Sequence, residues 1–200
     1  MPPSLLAQPI TVERQIIDDH FDTAGQWDQY DTPDFSARIE NGAFLFRLTS
    51  QSGFHYAWSV NHQLHRDVLI EADIAFDSQY ERAIAGLMCR ATGGNSRAYY
   101  FLISANGAFS IRRGLEQSTE ALVKWQSHRA IFTDGRRNII RAVCVGDYLG
   151  MYANGTYLDG VRDTRYHEGM AGLLIKVPDS AGIDNVAAVR FDHLRAWEAR

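Results

Sequence analysis

Apolar residues in this 200-residue chain recur at every second position, with no sustained spacing of three or four. Phe44, Phe46 and Leu48 alternate with Leu45 and Arg47. Phe54, Tyr56, Trp58 and Val60 alternate with His55, Ala57 and Ser59. Ile70, Ala72, Ile74 and Phe76 alternate with Leu69, Glu71, Asp73 and Ala75. Period two sends one set of side chains to a core and the other to an open face. Residues 84–90, 97–104, 108–112, 138–145, 147–153, 169–177 and 189–197 read as strands too. No window gives a convincing amphipathic helix; the best, 115–125, reads equally well as a hairpin and its flank.

Between the runs stand Asn41-Gly42, Asn106-Gly107, Asp134-Gly135, Asn154-Gly155 and Asp159-Gly160. Such pairs supply the positive φ angles of tight hairpin turns. Short strands separated by turns of this kind predict an all-β antiparallel sandwich or barrel. The first ten residues carry Pro2, Pro3 and Pro9 and lack the basic and apolar regions of a signal peptide. They read as an extended arm over 1–14, leaving one domain over 15–200. Chain length and composition agree: 46% hydrophobic and 22% charged residues exclude a disordered chain.

Lys plus Arg number 20 against 24 Asp plus Glu, net −4, so the basic excess of a nucleic-acid binder is missing. No stretch approaches the ~20 apolar residues of a membrane-spanning helix. Phosphate-cradling loops and the nucleophile elbow of serine hydrolases are missing as well. His62 and His65 stand three apart without cysteine or acidic partners in a zinc spacing, and read as solvated. Arg112, Arg113, Arg136 and Arg137 read as solvated turn and edge charges. Cys89 and Cys144 lie in two strand runs and could be buried thiols or a strand-to-strand disulfide.

Glu71 and Asp73 share one face of their strand, about 7 Å apart at ~3.3 Å per residue. Retaining glycosidases hold an acid and a nucleophile about 5–5.5 Å apart. Ala75 occupies the third place on this face, so the pair reads either as an incomplete acid–nucleophile set or as a solvated polar face.

The order of segments resembles the concanavalin A-like lectin/glucanase jelly roll. More narrowly it resembles LamG-like and family 16 glycoside hydrolase-like modules, the group that includes 3-keto-disaccharide hydrolase-type domains. The resemblance rests on Asp18-Asp19-His20-Phe21 with Trp27, on 68–73, on 86–90 followed by Tyr99-Tyr100-Phe101, and on Ser104-Ala105-Asn106-Gly107. It continues through 144–149, Tyr152-Ala153-Asn154-Gly155, 169–173 and Phe191-Asp192-His193-Leu194. It implies two curved antiparallel sheets with any binding face on the concave one. Glu71 and Asp73 match the first two acids of the family 16 signature, whereas Ala75 and Phe76 fill the places of the last. The resemblance further implies a Cys89–Cys144 disulfide, a secreted or cell-surface setting, and a structural calcium held by Asp18, Asp19 and Asp192, since calcium prefers oxygen donors.

A sugar presents apolar faces and hydroxyl edges, so its site combines aromatic rings with hydrogen-bonding side chains. Alternation assigns Phe44, Phe46, Ile70, Ile74 and Phe76 inward. It leaves His55, Glu71, Asp73, Arg90 and Tyr100 as candidate ligand residues, with Trp58 and Trp125 near loops. The expected function is a non-catalytic module binding carbohydrate or a small polar ligand. The alternatives are a glycan hydrolase using Glu71 and Asp73, or an interaction module that dimerises or serves a parent protein.

Overall fold

The computed structural model describes residues 6–23, 25, 27–49, 56–78, 80–94, 97–116, 118–177 and 186–200. The strands are β1 (Val12–Asp19), β2 (Tyr30–Asp31), β3 (Phe35–Glu40), β4 (Ala43–Thr49), β5 (Tyr56–His65), β6 (Val68–Phe76), β7 (Ile84–Ala91) and β8 (Tyr99–Ser104). They continue as β9 (Ala108–Leu115), β10 (Ser118–Ser127), β11 (Asn138–Val145), β12 (Tyr148–Ala153), β13 (Thr156–Arg162), β14 (Gly169–Lys176) and β15 (Val186–Ala199). All pairings are antiparallel, in two sheets. The nine-stranded sheet runs β13-β12-β11-β6-β15-β4-β3-β2, and the six-stranded sheet runs β10-β9-β8-β7-β14-β5. β1 joins the larger sheet because the 14-residue β15 outruns β4. Its first half pairs with β4 (Val186↔Thr49 to Phe191↔Phe44), and its second half with β1 (Leu194↔Asp19 to Ala199↔Val12). Strand pairing therefore begins at Val12, inside the segment expected to be an arm.

The core lies between the sheets, filled by alternate residues. Phe44, Phe46, Ile70 and Ile74 from one sheet meet Leu87, Phe101, Ile111 and Leu173 from the other, all of them fully buried. Each such side chain contributes about 1.5–3 kcal/mol by leaving water. An aromatic chain runs through this layer, with ring centroids 5.7 Å apart for Phe21–Phe44, 5.0 Å for Phe44–Phe46 and 5.8 Å for Phe46–Phe191. Cys89 of β7 and Cys144 of β11 are joined by a disulfide across the two sheets, Cα atoms 6.7 Å apart.

Turn chemistry places the hairpins. Asn41-Gly42 joins β3 to β4 and Asn154-Gly155 joins β12 to β13, all four residues at positive φ. Asn106-Gly107 joins β8 to β9. Asp134-Gly135 turns within the irregular connection from β10 to β11, where the chain changes sheets. Asp159-Gly160 is not a turn. It lies inside β13, with Gly160 paired to Gly150. The ambiguous 115–125 segment is a hairpin: Leu115 pairs with Ser118 across a turn at Glu116, φ 48°.

Candidate functional site

The outer face of the six-stranded sheet is a second apolar layer. Along β7, Ala85, Leu87 and Cys89 point to the core, whereas Ile84 and Met88 point outward. Cross-strand register builds rows on this outer face. One row reads Arg112, Tyr100, Met88, Gly172 and Val60 from β9 to β5; the next reads Ser110, Leu102, Gly86, Leu174 and Trp58. Val60, Met88, Leu102 and Leu174 form a buried floor. Gly86 lets β8 approach: a Cβ there would stand 2.2 Å from the Phe101 carbonyl oxygen. Gly114 makes room for the Tyr100 ring, whose hydroxyl would lie 2.8 Å from an added Cβ.

At the β5 rim, Tyr56 and Trp58 stack with centroids 5.5 Å apart and planes 28° from parallel. Tyr56 is 48% exposed and Trp58 is half-buried, so the pair offers ring surface to solvent. β5 is an edge strand, and its outward backbone groups need partners. At Trp58 the Tyr30 hydroxyl supplies them, donating to the carbonyl at 2.7 Å and accepting from the N–H at 3.0 Å. Burial raises the Tyr30 pKa, so the phenol keeps the proton that it donates. The Trp58 indole N–H points at the Gly93 carbonyl, 3.5 Å away. A tyrosine from the opposite sheet thus fixes the rim.

At the other side of this face, the partly buried Arg112 guanidinium donates to the Thr119 hydroxyl at 2.9 Å and to the Thr119 carbonyl at 3.4 Å. Burial lowers its pKa, while its resonance-stabilised charge persists. Tyr100 is 7% exposed, and its pKa is raised by burial and then by neighbouring Tyr56 and Tyr166.

The expected ligand residues do not converge. His55 lies outside the described residues. Glu71 and Asp73 share a face as alternation requires, but it is the outer face of the nine-stranded sheet, across the sandwich from Tyr100. Both are buried there and committed to cations. Glu71 accepts from Arg141 of β11 at 2.7 and 2.9 Å and from Arg195 of β15 at 2.6 Å. Asp73 meets Arg137 at 2.9 Å and His193 at 3.1 Å. The register extends this into a row of alternating charge: Arg141, Glu71, Arg195 and Asp18. These carboxylates tie three strands together, which neither the catalytic pair nor the solvated polar face anticipates.

Arg90 is only 2% exposed and belongs to no open face. A β-bulge at its positive φ of 53° breaks the alternation that would have sent it outward. Its guanidinium instead bonds the carbonyls of Arg66, Tyr166 and Gly146 and the Asp67 carboxylate. Arg113 and Arg137, expected to be solvated, are paired with Asp163 and Asp73.

The three aspartates expected to hold calcium each have protein neighbours. Asp19 accepts from the Phe21 N–H through one oxygen and from the Trp27 indole N–H through the other, both at 2.8 Å. Asp192 accepts from the His193 N–H and Asp18 lies beside His20. Among the described residues no three His, Cys, Asp or Glu side chains form a group that could hold a metal ion. Two open clefts, of about 450 and 330 Å³, flank the 132–136 loop and share its Asp134–Arg136 pair, with Arg136 over the Phe132 ring at 4.0 Å. They include none of the expected ligand residues.

No family model matches the chain, and no curated protein matches its sequence. Solved structures do resemble it. The carbohydrate-binding module CBM66 from Bacillus subtilis superposes with a TM-score of 0.66 at 15% identity, over 88% of this chain and 96% of that one. A β-glucanase from Bacillus licheniformis gives 0.66 at 10% identity, over 95% and 100%. A protein of unknown function with a galectin-like fold from Bacillus subtilis gives 0.68 at 8% identity, over 96% and 99%. The fold is a concanavalin A-like jelly roll. At these identities the likeness establishes architecture, and function has to be argued from the site. Among the described residues no helix is long and apolar enough to cross a membrane.

Proposed function

We propose that this chain is a carbohydrate-binding module that works without catalysis, and that the sugar lies on the outer face of the six-stranded sheet against Tyr56 and Trp58. One observation carries the non-catalytic half. The six strands β5, β7, β8, β9, β10 and β14 contain a single carboxylate, Glu120, and it is bonded to Arg113. Glycoside hydrolysis by the two-carboxylate route needs two, placed on either side of the scissile bond. The other candidate acids, Glu71 and Asp73, are on the opposite face and held by arginines. The binding half is supported by the exposed ring stack, its anchoring by Tyr30, and an architecture shared with a carbohydrate-binding module.

The test is isothermal titration calorimetry of the intact chain against a glycan panel, with Trp58→Ala and Tyr56→Ala as partners. Binding of at least one glycan, weakened about tenfold or more by Trp58→Ala with the circular dichroism spectrum unchanged, is the expected result. Binding that ignores both substitutions would remove this face from the account. Glycan cleavage by the wild-type protein would overturn the non-catalytic reading.

A further inference from the structure

We infer that the ligand of this face is an acidic oligosaccharide lying across the strands, its carboxylate or sulfate at Arg112 and a sugar ring on Tyr56 and Trp58; this rests on the binding reading above. The chain as a whole is net acidic, with 24 Asp plus Glu against 20 Lys plus Arg. The six-stranded sheet inverts that balance. Its strands hold Arg90, Arg112, Arg113, Lys124 and Lys176 against Glu120 alone.

The arginines among them are not equivalent. Arg90 is turned into the corner of the sandwich, and Arg113 is bonded to Asp163 and Glu120. Arg112 points to the outer face, opposite Tyr100 in register. Its bonds among the described residues go to Thr119, a neutral partner, through Nε and one terminal nitrogen. A partly buried guanidinium with no carboxylate bonded to it among the described residues has lost hydration without gaining a counter-charge there. An anionic ligand restores that balance, with Arg as the side chain suited to bidentate contact with a planar carboxylate or a sulfate.

The same register sets the ligand's length and direction. From β9 to β5 there are four strand steps, about 19 Å at ~4.8 Å each. That span exceeds one sugar ring, so a ligand reaching both Arg112 and Trp58 is an oligomer. Between them lie Met88, Leu102 and Leu174, which are themselves buried, so the ligand's contacts are concentrated at its two ends, on Arg112 and on the Tyr56–Trp58 stack.

The experiment is calorimetric titration of the full chain with three probes: a tetramer of galacturonic acid, its fully methyl-esterified neutral form, and the galacturonic acid monomer. A sulfated and a neutral galactan oligosaccharide form a second matched pair. Each is run at 50 mM and 300 mM NaCl with wild type, Arg112→Gln and Trp58→Ala. Gln keeps a donor for Thr119, and circular dichroism checks the fold of each variant. The expected result is that, in at least one pair, the acidic member binds at least about tenfold more tightly than its neutral counterpart and loses affinity with salt. Arg112→Gln should erase that preference, Trp58→Ala should weaken both members, and the monomer should bind far more weakly than the tetramer. Neutral and acidic members binding alike, with Arg112→Gln inert, would refute the acidic ligand and leave the binding reading intact. Failure of every saccharide, these and the wider glycan panel alike, would remove both.

Discussion

Opening the Cys89–Cys144 bridge tests how the two sheets are held together. The disulfide links β7 to β11 and closes a loop with a sequence separation of 55. In the chain-entropy account, a loop of that size restricts the unfolded state by about 4 kcal/mol. For a domain of this length each kcal/mol moves the melting temperature by about 2–4 °C. The variant Cys89→Ala/Cys144→Ala should therefore melt about 8–16 °C below the oxidised wild type in scanning calorimetry. The single variants discriminate the cause. Either substitution alone opens the same loop, so each should cost nearly as much as the double, within about 1 kcal/mol. If the two sulfurs served only as packing, the single losses would be small and would add. A fall below about 3 °C for the double variant, or additive singles, would refute the argument, as would two titratable thiols in the native protein.

Glu71→Gln and Asp73→Asn should each lower stability by about 1–3 kcal/mol in urea unfolding, because each replaces a buried carboxylate held by two side chains, Arg141 and Arg195 for Glu71 and Arg137 and His193 for Asp73, while glycan affinity stays unchanged. Gly86→Ala should destabilise by about 2–3 kcal/mol or more, since its Cβ would press on the backbone of β8; a melting curve matching wild type would contradict that geometry. Burial raises the pKa of Tyr99 and Tyr100, so the folded state retains two protons that the unfolded chain releases above pH ~10. Stability from this source is full below pH ~10 and falls as pH rises, by at most about 2.7 kcal/mol per unit. Phenolate absorbance from these two rings should consequently appear together with unfolding rather than before it.

Strand order along the chain was legible wherever one face is buried and the other is not. The runs at 44–48, 69–76, 138–145 and 169–177 fall on β4, β6, β11 and β14. β1 and β13 escaped because alternation needs a contrast that they lack: β1 is mostly exposed, and in β13 the two small pairs Asp159-Gly160 and Asn154-Gly155 look alike. The site was harder to read. Glu71 and Asp73 were placed correctly on one face, but alternation assigns residues to faces and cannot say which sheet a strand joins. Arg90 was misplaced by a bulge that leaves no mark in the residue types. Arg112 and Tyr56 carried a usable signal that single-residue reading passes over. Tyr56 and Trp58 stand two apart on one alternating run and therefore share a face, and the runs holding Tyr56 and Arg112 carry no acid.

The most direct measurement follows the indole N–H signals of the 4 tryptophans by two-dimensional NMR while a glycan that binds is added. Trp27 is buried in the core and Trp197 belongs to the face that carries Glu71, whereas Trp58 lies on the rim of the six-stranded sheet. Binding on this rim should move the Trp58 signal in a saturable way with Trp27 and Trp197 unmoved. A shift confined to Trp197, or saturating binding with Trp58 unmoved, would contradict it.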